Sequence, residues 1–289
     1  MVGLVVNNQG FPLYFDIFDG STFEGHTFLP IVKNVQKLLD CSELVVVADA
    51  AMLSQVNIKS LITSKLSFVV GARLANLPHS LIESISSQLN KQDGALATFD
   101  YKNQRLICQF SGKRATKDKS DRLKQLDKAK IAVKSPSKLA GRFRFLKTGT
   151  TKASLNLDLI SKAEKLEGIK GYLTNTNLPE TLVIDHYHNL WQVENSFKIT
   201  KSDLAARPIF HRLDDTIKAH LVIVFAGLAV TKYIEINSKL SIKRVLKIAN
   251  KLLTHTVTNT RTGENKLLET TIKNPVLIEK INLLKSLGH

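Results

Sequence analysis

Apolar and polar positions along this chain follow two periods, first that of strands and then increasingly that of helices. Residues 3–7, GLVVN, and 11–18, FPLYFDIF, are short β-rich runs on either side of Asn8-Gln9-Gly10, a spacing that predicts a hairpin. In TFLPIVKNVQKLLD, 27–40, apolar residues recur at Leu29, Val32, Val35 and Leu38 or Leu39, which predicts a helix. ELVVVADAAM, 43–52, is a continuous apolar run closed by an acid, the pattern of a strand buried on both faces. A second helix is expected at about 54–64, and LSFVVGARL, 66–74, reads as another buried strand. An antiparallel pair followed by strands alternating with helices indicates an α/β fold, a mixed sheet flanked by helices.

After Leu74 the texture changes. Residues 75–180 hold fewer apolar runs, with weak strands such as ATFDY and RLICQF among polar stretches. From about 181 the pattern turns helical over 185–201, 216–236 and 241–253, and the middle helix is apolar almost all round, as in a core helix. The chain therefore reads as four stretches: 1–74, 75–180, 181–236 and 237–289. The longest apolar run, Leu221 to Val230, is about half the roughly 20 residues that cross a bilayer, so no membrane role is expected.

Charge changes the picture more than length does. The 289 residues carry a formal net charge of +16 with a pI near 9.8, and an excess of that size favours a polyanionic partner, nucleic acid first. The excess is concentrated. Residues 101–152 contain sixteen Lys or Arg against Asp118, Asp121 and Asp127, which is +13 of the +16. Within it, SGKRATKDKSDRLKQLDKAKIAVK reads as a solvated amphipathic helix. Lys113, Arg114 and Lys117 in its first turns are candidate contacts to a phosphate backbone. Cys41 and Cys108 make no C-x-x-C pattern, and a reducing cytosol is the default expectation. His186 and His188 have no third His or Cys at zinc spacing, and no Walker loop, dinucleotide loop or Ser/His/Asp motif is present.

One carboxylate sits oddly. If 185–201 is a single helix, Tyr187, Leu190, Trp191, Glu194, Phe197, Lys198 and Lys201 fall in one stripe, with Tyr187, Glu194 and Lys201 seven apart. Glu194 then has three readings: an i,i+4 pair with Lys198, an ordinary partly buried acid, or a metal ligand. Asp49, closing the Leu44–Ala48 run, bears on that choice. The carboxyl end of a strand is where open α/β sheets bind ligands. A strand-end Asp and an inward Glu on a later helix are hard oxygen donors suited to a divalent metal.

These segments also carry a resemblance. GLVVNNQGFPLYFDIFDGSTFEGHTFLPIV, VVVADAAMLS, FVVGARL, GYLTNTN, YHNLWQVENSFKITKSDLAARPIFHR and IKAHLVIVFAGLAV resemble, in order, the core of bacterial insertion-sequence transposases. That superfamily of DDE enzymes has an RNase H-like fold and a Tyr/Arg/Glu/Lys signature around its last acid. The likeness runs from residue 2 to about 235. It implies DNA cleavage and strand transfer dependent on Mg2+ or Mn2+, with Asp49 as the second catalytic acid and Glu194 as the third, both metal ligands. Tyr187 and Lys201 match the flanking tyrosine and lysine, whereas the expected arginine falls on Leu190. Lys198, Arg207 and Arg212 join the candidate DNA contacts.

In the family the first acid lies on a strand ahead of GLVV, and Asp16, within a β run, and Asp19, in a turn, are poor substitutes for it. The expectation is therefore an RNase H-like sheet lacking its first strand, with a strand-containing basic insertion, from a truncated transposase without strand-transfer activity of its own. The alternative is a non-catalytic DNA-binding remnant that modulates a full-length enzyme. DNA ends and target, a homo-oligomer or mixed oligomer with a full-length copy, and a bacterial, nucleoid-associated location complete what the resemblance implies.

Overall fold

The computed structural model describes residues 1–22, 24–40, 44–49, 55–134, 143–148, 153–250, 254–269, 278–279 and 282. The end of the ADAAM run past Asp49, the basic residues of 135–142 and 149–152, and the close of the expected helix 241–253 lie outside them. The chain divides into two compact units: a terminal unit of Met1–Thr22 with Trp191–His289, and a central unit of Phe23–Leu190.

The central unit is built on a five-stranded mixed sheet in the order β3-β4-β9-β6-β5. β3 (Val45–Ala48) runs parallel to β4 (Ser67–Ala72), and β9 (Ile169–Thr174) is antiparallel to both β4 and β6 (Gln104–Phe110). β5 (Leu96–Tyr101) closes the far edge by an antiparallel hairpin with β6. The weak strands expected within 75–180 thus belong to the same sheet as the Val-rich runs before residue 74. β3 is a sheet edge, and Val45, Val46 and Val47 are only half-buried. The apolar run had suggested burial on both faces. Continuous Val/Leu runs do not separate an edge strand from a central one when β-branched residues suit both.

Strand alternation sorts the two faces. Phe68, Val70, Leu106, Cys108 and Leu173 point to one side, where they meet α1 (Glu24–Leu39), α2 (Gln55–Thr63) and α3 (His79–Leu89) through Phe28, Val32, Leu61, Ile82 and Ile85. Val69, Ile107 and Tyr172 point to the other, where Val183 and Ile184 of α6 (Glu180–His188) cover them. The GYLTNTN segment locks the centre. Buried Thr174 donates its Oγ1 hydrogen to the Phe68 carbonyl at 2.6 Å, and Asn175 Oδ1 accepts from the Phe68 N–H at 2.9 Å. The basic stretch forms α4 (Gly112–Lys134), a 23-residue helix, packed against α5 (Leu157–Lys165).

The terminal unit begins with an antiparallel hairpin, β1 (Val2–Val6) and β2 (Pro12–Ile17). Its turn is fixed by Asn7, whose Oδ1 accepts from the N–H groups of Gln9 and Phe11, and by Gly10 at φ +83°. α7 (Trp191–Ser202) packs on β1, with the buried Ser196 hydroxyl donating to the Gly10 carbonyl at 3.2 Å. α8 (Asp214–Ser238) packs on β2, where the Phe15 and Phe225 rings lie 4.6 Å apart. α8 buries Leu221, Val224, Leu228 and Thr231 but leaves Ile223 and Val230 exposed, so it is covered on one side only rather than being the core helix its composition suggested. By length and composition α8 is apolar enough to cross a membrane.

The single helix expected over 185–201 is two helices. α6 stops at His188, Asn189 donates its N–H to the Asp185 carbonyl, and Leu190 donates to the carbonyl of Tyr187, a tightened last turn before α7 starts at Trp191. Asn is a weak helix former that favours helix ends, and the apolar spacing continues across the break, so periodicity alone conceals it.

Candidate functional site

The carboxyl ends of β3 and β4 and the start of β9 meet at one end of the central sheet. The last β3–β4 pair is Ala48 with Val70, and Asp49 follows immediately as an exposed residue. Alternation puts Asp49 on the face of Val45 and Val47, which is the face α6 covers. On that face Tyr187 of α6 lies directly over β4. A Cβ at Gly71 would fall 2.6 Å from the Tyr187 hydroxyl oxygen, so the close approach requires glycine there. Burial raises the Tyr187 phenol above its ordinary range, and the negative charge of Asp49 raises it further, which ties the two side chains into one electrostatic neighbourhood.

Beneath Tyr187, β9 contributes a cation. Lys170 Nζ lies 4.4 Å from the centre of the Tyr187 ring and 5.6 Å from that of Tyr172. Lys170 is half-buried, and its ammonium is held below the usual lysine range by burial first and the nearby Arg114 second. Tyr172, fully buried at the sheet centre, is pushed up to about 12, chiefly by burial, and meets the Tyr187 ring edge-on at 5.1 Å. The start of α6 is anchored by Arg105, which donates to the Thr176 and Leu178 carbonyls and pairs with Glu180 at 2.7 Å.

The other sequence-derived residues lie in the terminal unit or on α4. On α7 the buried residues are Ser196 and Ile199, and Trp191, Glu194, Lys198 and Lys201 occupy the opposite, exposed arc. Glu194 is therefore not a carboxylate on a buried stripe, and the helix break means that Tyr187 does not superimpose on Glu194 and Lys201 along one helix. No ion pair joins Glu194 to Lys198, in keeping with the few tenths of a kcal/mol that such an exposed pair contributes. Lys201 instead lies over the Phe197 ring, 5.9 Å from its centre. Arg207 and Arg212 are exposed in the non-helical segment between α7 and α8. Asp16 is engaged within β2, accepting from the Tyr14 hydroxyl and the Ile17 N–H.

Lys113, Arg114 and Lys117 are all exposed on the first turns of α4, whose first turn holds no acidic residue. Cations at a helix N-terminus oppose its macrodipole, so local helix stability does not explain the placement. Arg114 reaches Asp118 at 3.4 Å, and Asp118 also accepts from the Gly168 N–H in the turn before β9.

Carboxylates such as Asp49 and Glu194 are the donor type that Mg2+ or Mn2+ prefers. Among the described residues, however, no group of three or more His, Cys, Asp or Glu gathers as a metal site. Donor chemistry fits such an ion, and donor number falls short of a closely spaced pair. Lys170 escaped sequence reasoning. Its one signal is the alternation in IKGYLT, which puts a lysine on the same face as Tyr172 at the mouth of an otherwise buried strand. No curated protein matches the sequence. Residues 1–229 match the family model described as transposase DDE domain.

Proposed function

Since the chain belongs to the transposase DDE domain family, whose members act on DNA with divalent metal ions, we propose that Asp49 and Glu194 are its metal-binding acids. The single observation carrying this is the position of Asp49, exposed just past the carboxyl end of a parallel strand and electrostatically coupled to Tyr187. Glu194 supports it from its own helix, as an exposed carboxylate without an ion pair among the described residues, on the face that also presents Lys198 and Lys201.

A divalent ion bound by such acids supplies the Lewis acidity that activates an attacking hydroxyl against a phosphodiester. Lys198, Lys201, Arg207 and Arg212 of the terminal unit offer charge-assisted hydrogen bonds to phosphate oxygens, and Tyr187 of the central unit offers a hydroxyl. Lys113, Arg114 and Lys117 add sequence-tolerant backbone affinity. The family uses three acids, and Asp49 and Glu194 account for two of them. The proposal is therefore an insertion-sequence transposase core that, as these residues alone, engages element-end or target DNA without cutting it.

Titrating duplex DNA against salt tests the reading. Binding is expected to weaken steeply with salt. Asp49→Ala and Glu194→Ala are expected to hold wild-type affinity within about threefold, since neither removes a cation that meets phosphate. Affinity indifferent to salt, or strand nicking by the purified 289 residues with Mg2+, contradicts it.

A further inference from the structure

A cavity of about 440 Å³ opens in the central unit between α4, α5 and the β4–β9 end of the sheet, with Tyr187 at its rim. Its lining mixes apolar and charged residues, and the charges are not matched, five Lys or Arg standing against Asp118, Asp121 and Glu167. Arg122 is committed to Glu167 at 2.6 Å and to Glu164 at 3.4 Å, and Asp118 is shared by Arg114 and the Gly168 N–H. Lys170, Lys162 and Arg144 line the same space and pair with no carboxylate among the described residues. Gln125 projects into it with a buried Oε1 that has no hydrogen-bond partner, and turned about its last bond the same amide presents N–H donors.

We propose that this cavity binds a phosphate group, with Lys170 and Arg114 as its principal cationic donors and the Tyr187 hydroxyl at its edge. Charge balance is the reason. Lys170 is half-buried without a carboxylate partner among the described residues. Arg114, on the same lining, has only Asp118, whose oxygen it shares with the Gly168 N–H, so the two cations repel each other without being fully neutralised. A dianionic or monoanionic phosphate between them neutralises both, through short charge-assisted hydrogen bonds. Contact with the Tyr187 and Tyr172 rings holds the Lys170 ammonium without neutralising it, so the charge stays available to a ligand. Alternation and register bring Asp49 to the same end of the sheet, so a phosphate here is one flanking the proposed acid rather than one bound at the outer surface of α4. The assignment of that phosphate to DNA rests on the proposed function. The pocket itself rests on the geometry alone.

The test combines lysine acetylation mapped by mass spectrometry with DNA titration, using the whole chain. Inorganic phosphate and, separately, a short duplex are expected to slow acetylation of Lys170 severalfold, while phosphate leaves exposed Lys59 on α2 unaffected. Lys170→Gln is expected to bind duplex roughly tenfold more weakly at low salt. Its plot of log affinity against log salt should be shallower by about 0.9, as expected when one phosphate fewer is neutralised. Arg114→Gln is the second variant should Lys170→Gln fold poorly, and the protection measurement needs no variant. Duplex binding with unchanged Lys170 reactivity and an unchanged slope overturns the pocket and leaves the DNA reading standing. Protection by phosphate without any duplex binding keeps the pocket and overturns the DNA reading. Absence of both overturns both.

Discussion

Gly71 shows how a single missing side chain positions the site. A Cβ at Gly71 of β4 would come within 2.6 Å of the Tyr187 hydroxyl oxygen and 3.1 Å of its ring, so the ring would have to shift. Gly71→Ala is expected to lower the unfolding free energy by about 1–3 kcal/mol, the usual cost of overpacking, and to displace the Tyr187 ring. Tyr187→Phe keeps the ring in place and should cost less. Denaturant melts of the two variants, with the aromatic NMR resonances of Tyr172 as a reporter of ring position, check the ordering. Asp49 could be singled out in the sequence because an acid after five apolar residues breaks a pattern. Tyr187 needed the family likeness, and Lys170 was not legible, since the neighbours that make it notable come from β9, α4 and α6. Three-dimensional charge balance leaves no trace in local spacing.

At the scale of elements, most of the chain follows its patterning. The hairpin around Asn7–Gly10, the helices at 24–39 and 55–63 and the strands ending at Ala48 and Ala72 all form where alternation and helical spacing put them. The failures share one cause: hydrophobic pattern reports how much is buried but not against what. Val45–Val47 reads as doubly buried but forms a sheet edge, α8 reads as a core helix but buries one side, and the spacing across His188–Trp191 hides a break. α4 is the element on which charge decides. Its inward stripe, Ala115, Asp118, Arg122, Gln125 and Ala129, is small or polar, and its remaining surface is mostly basic and exposed. Replacing Lys113, Lys117, Lys124 and Lys128 together by Gln is expected to leave helicity unchanged, with each exposed change within about 0.5 kcal/mol. The same variant should flatten the salt dependence of DNA binding by about 0.9 for each phosphate that is no longer neutralised. Circular dichroism and a salt titration measure the two effects separately. A variant with the wild-type slope shows that α4 is a solubilising face only.

For the whole molecule, composition alone already pointed to a polyanion, and the family match places that partner as DNA. The residues proposed to act are divided between the two units. Asp49, Tyr187, the cavity and α4 lie in the central unit, and Glu194 lies in the terminal unit with the exposed cations of α7 and the segment after it. Metal use is the property on which the account turns, and Mn2+ titration followed by electron paramagnetic resonance measures it directly. Wild type is expected to bind Mn2+ weakly, with Asp49→Ala and Glu194→Ala each reducing binding markedly. If either single variant takes up Mn2+ as wild type does, Asp49 and Glu194 are not the acids through which this protein holds its metal.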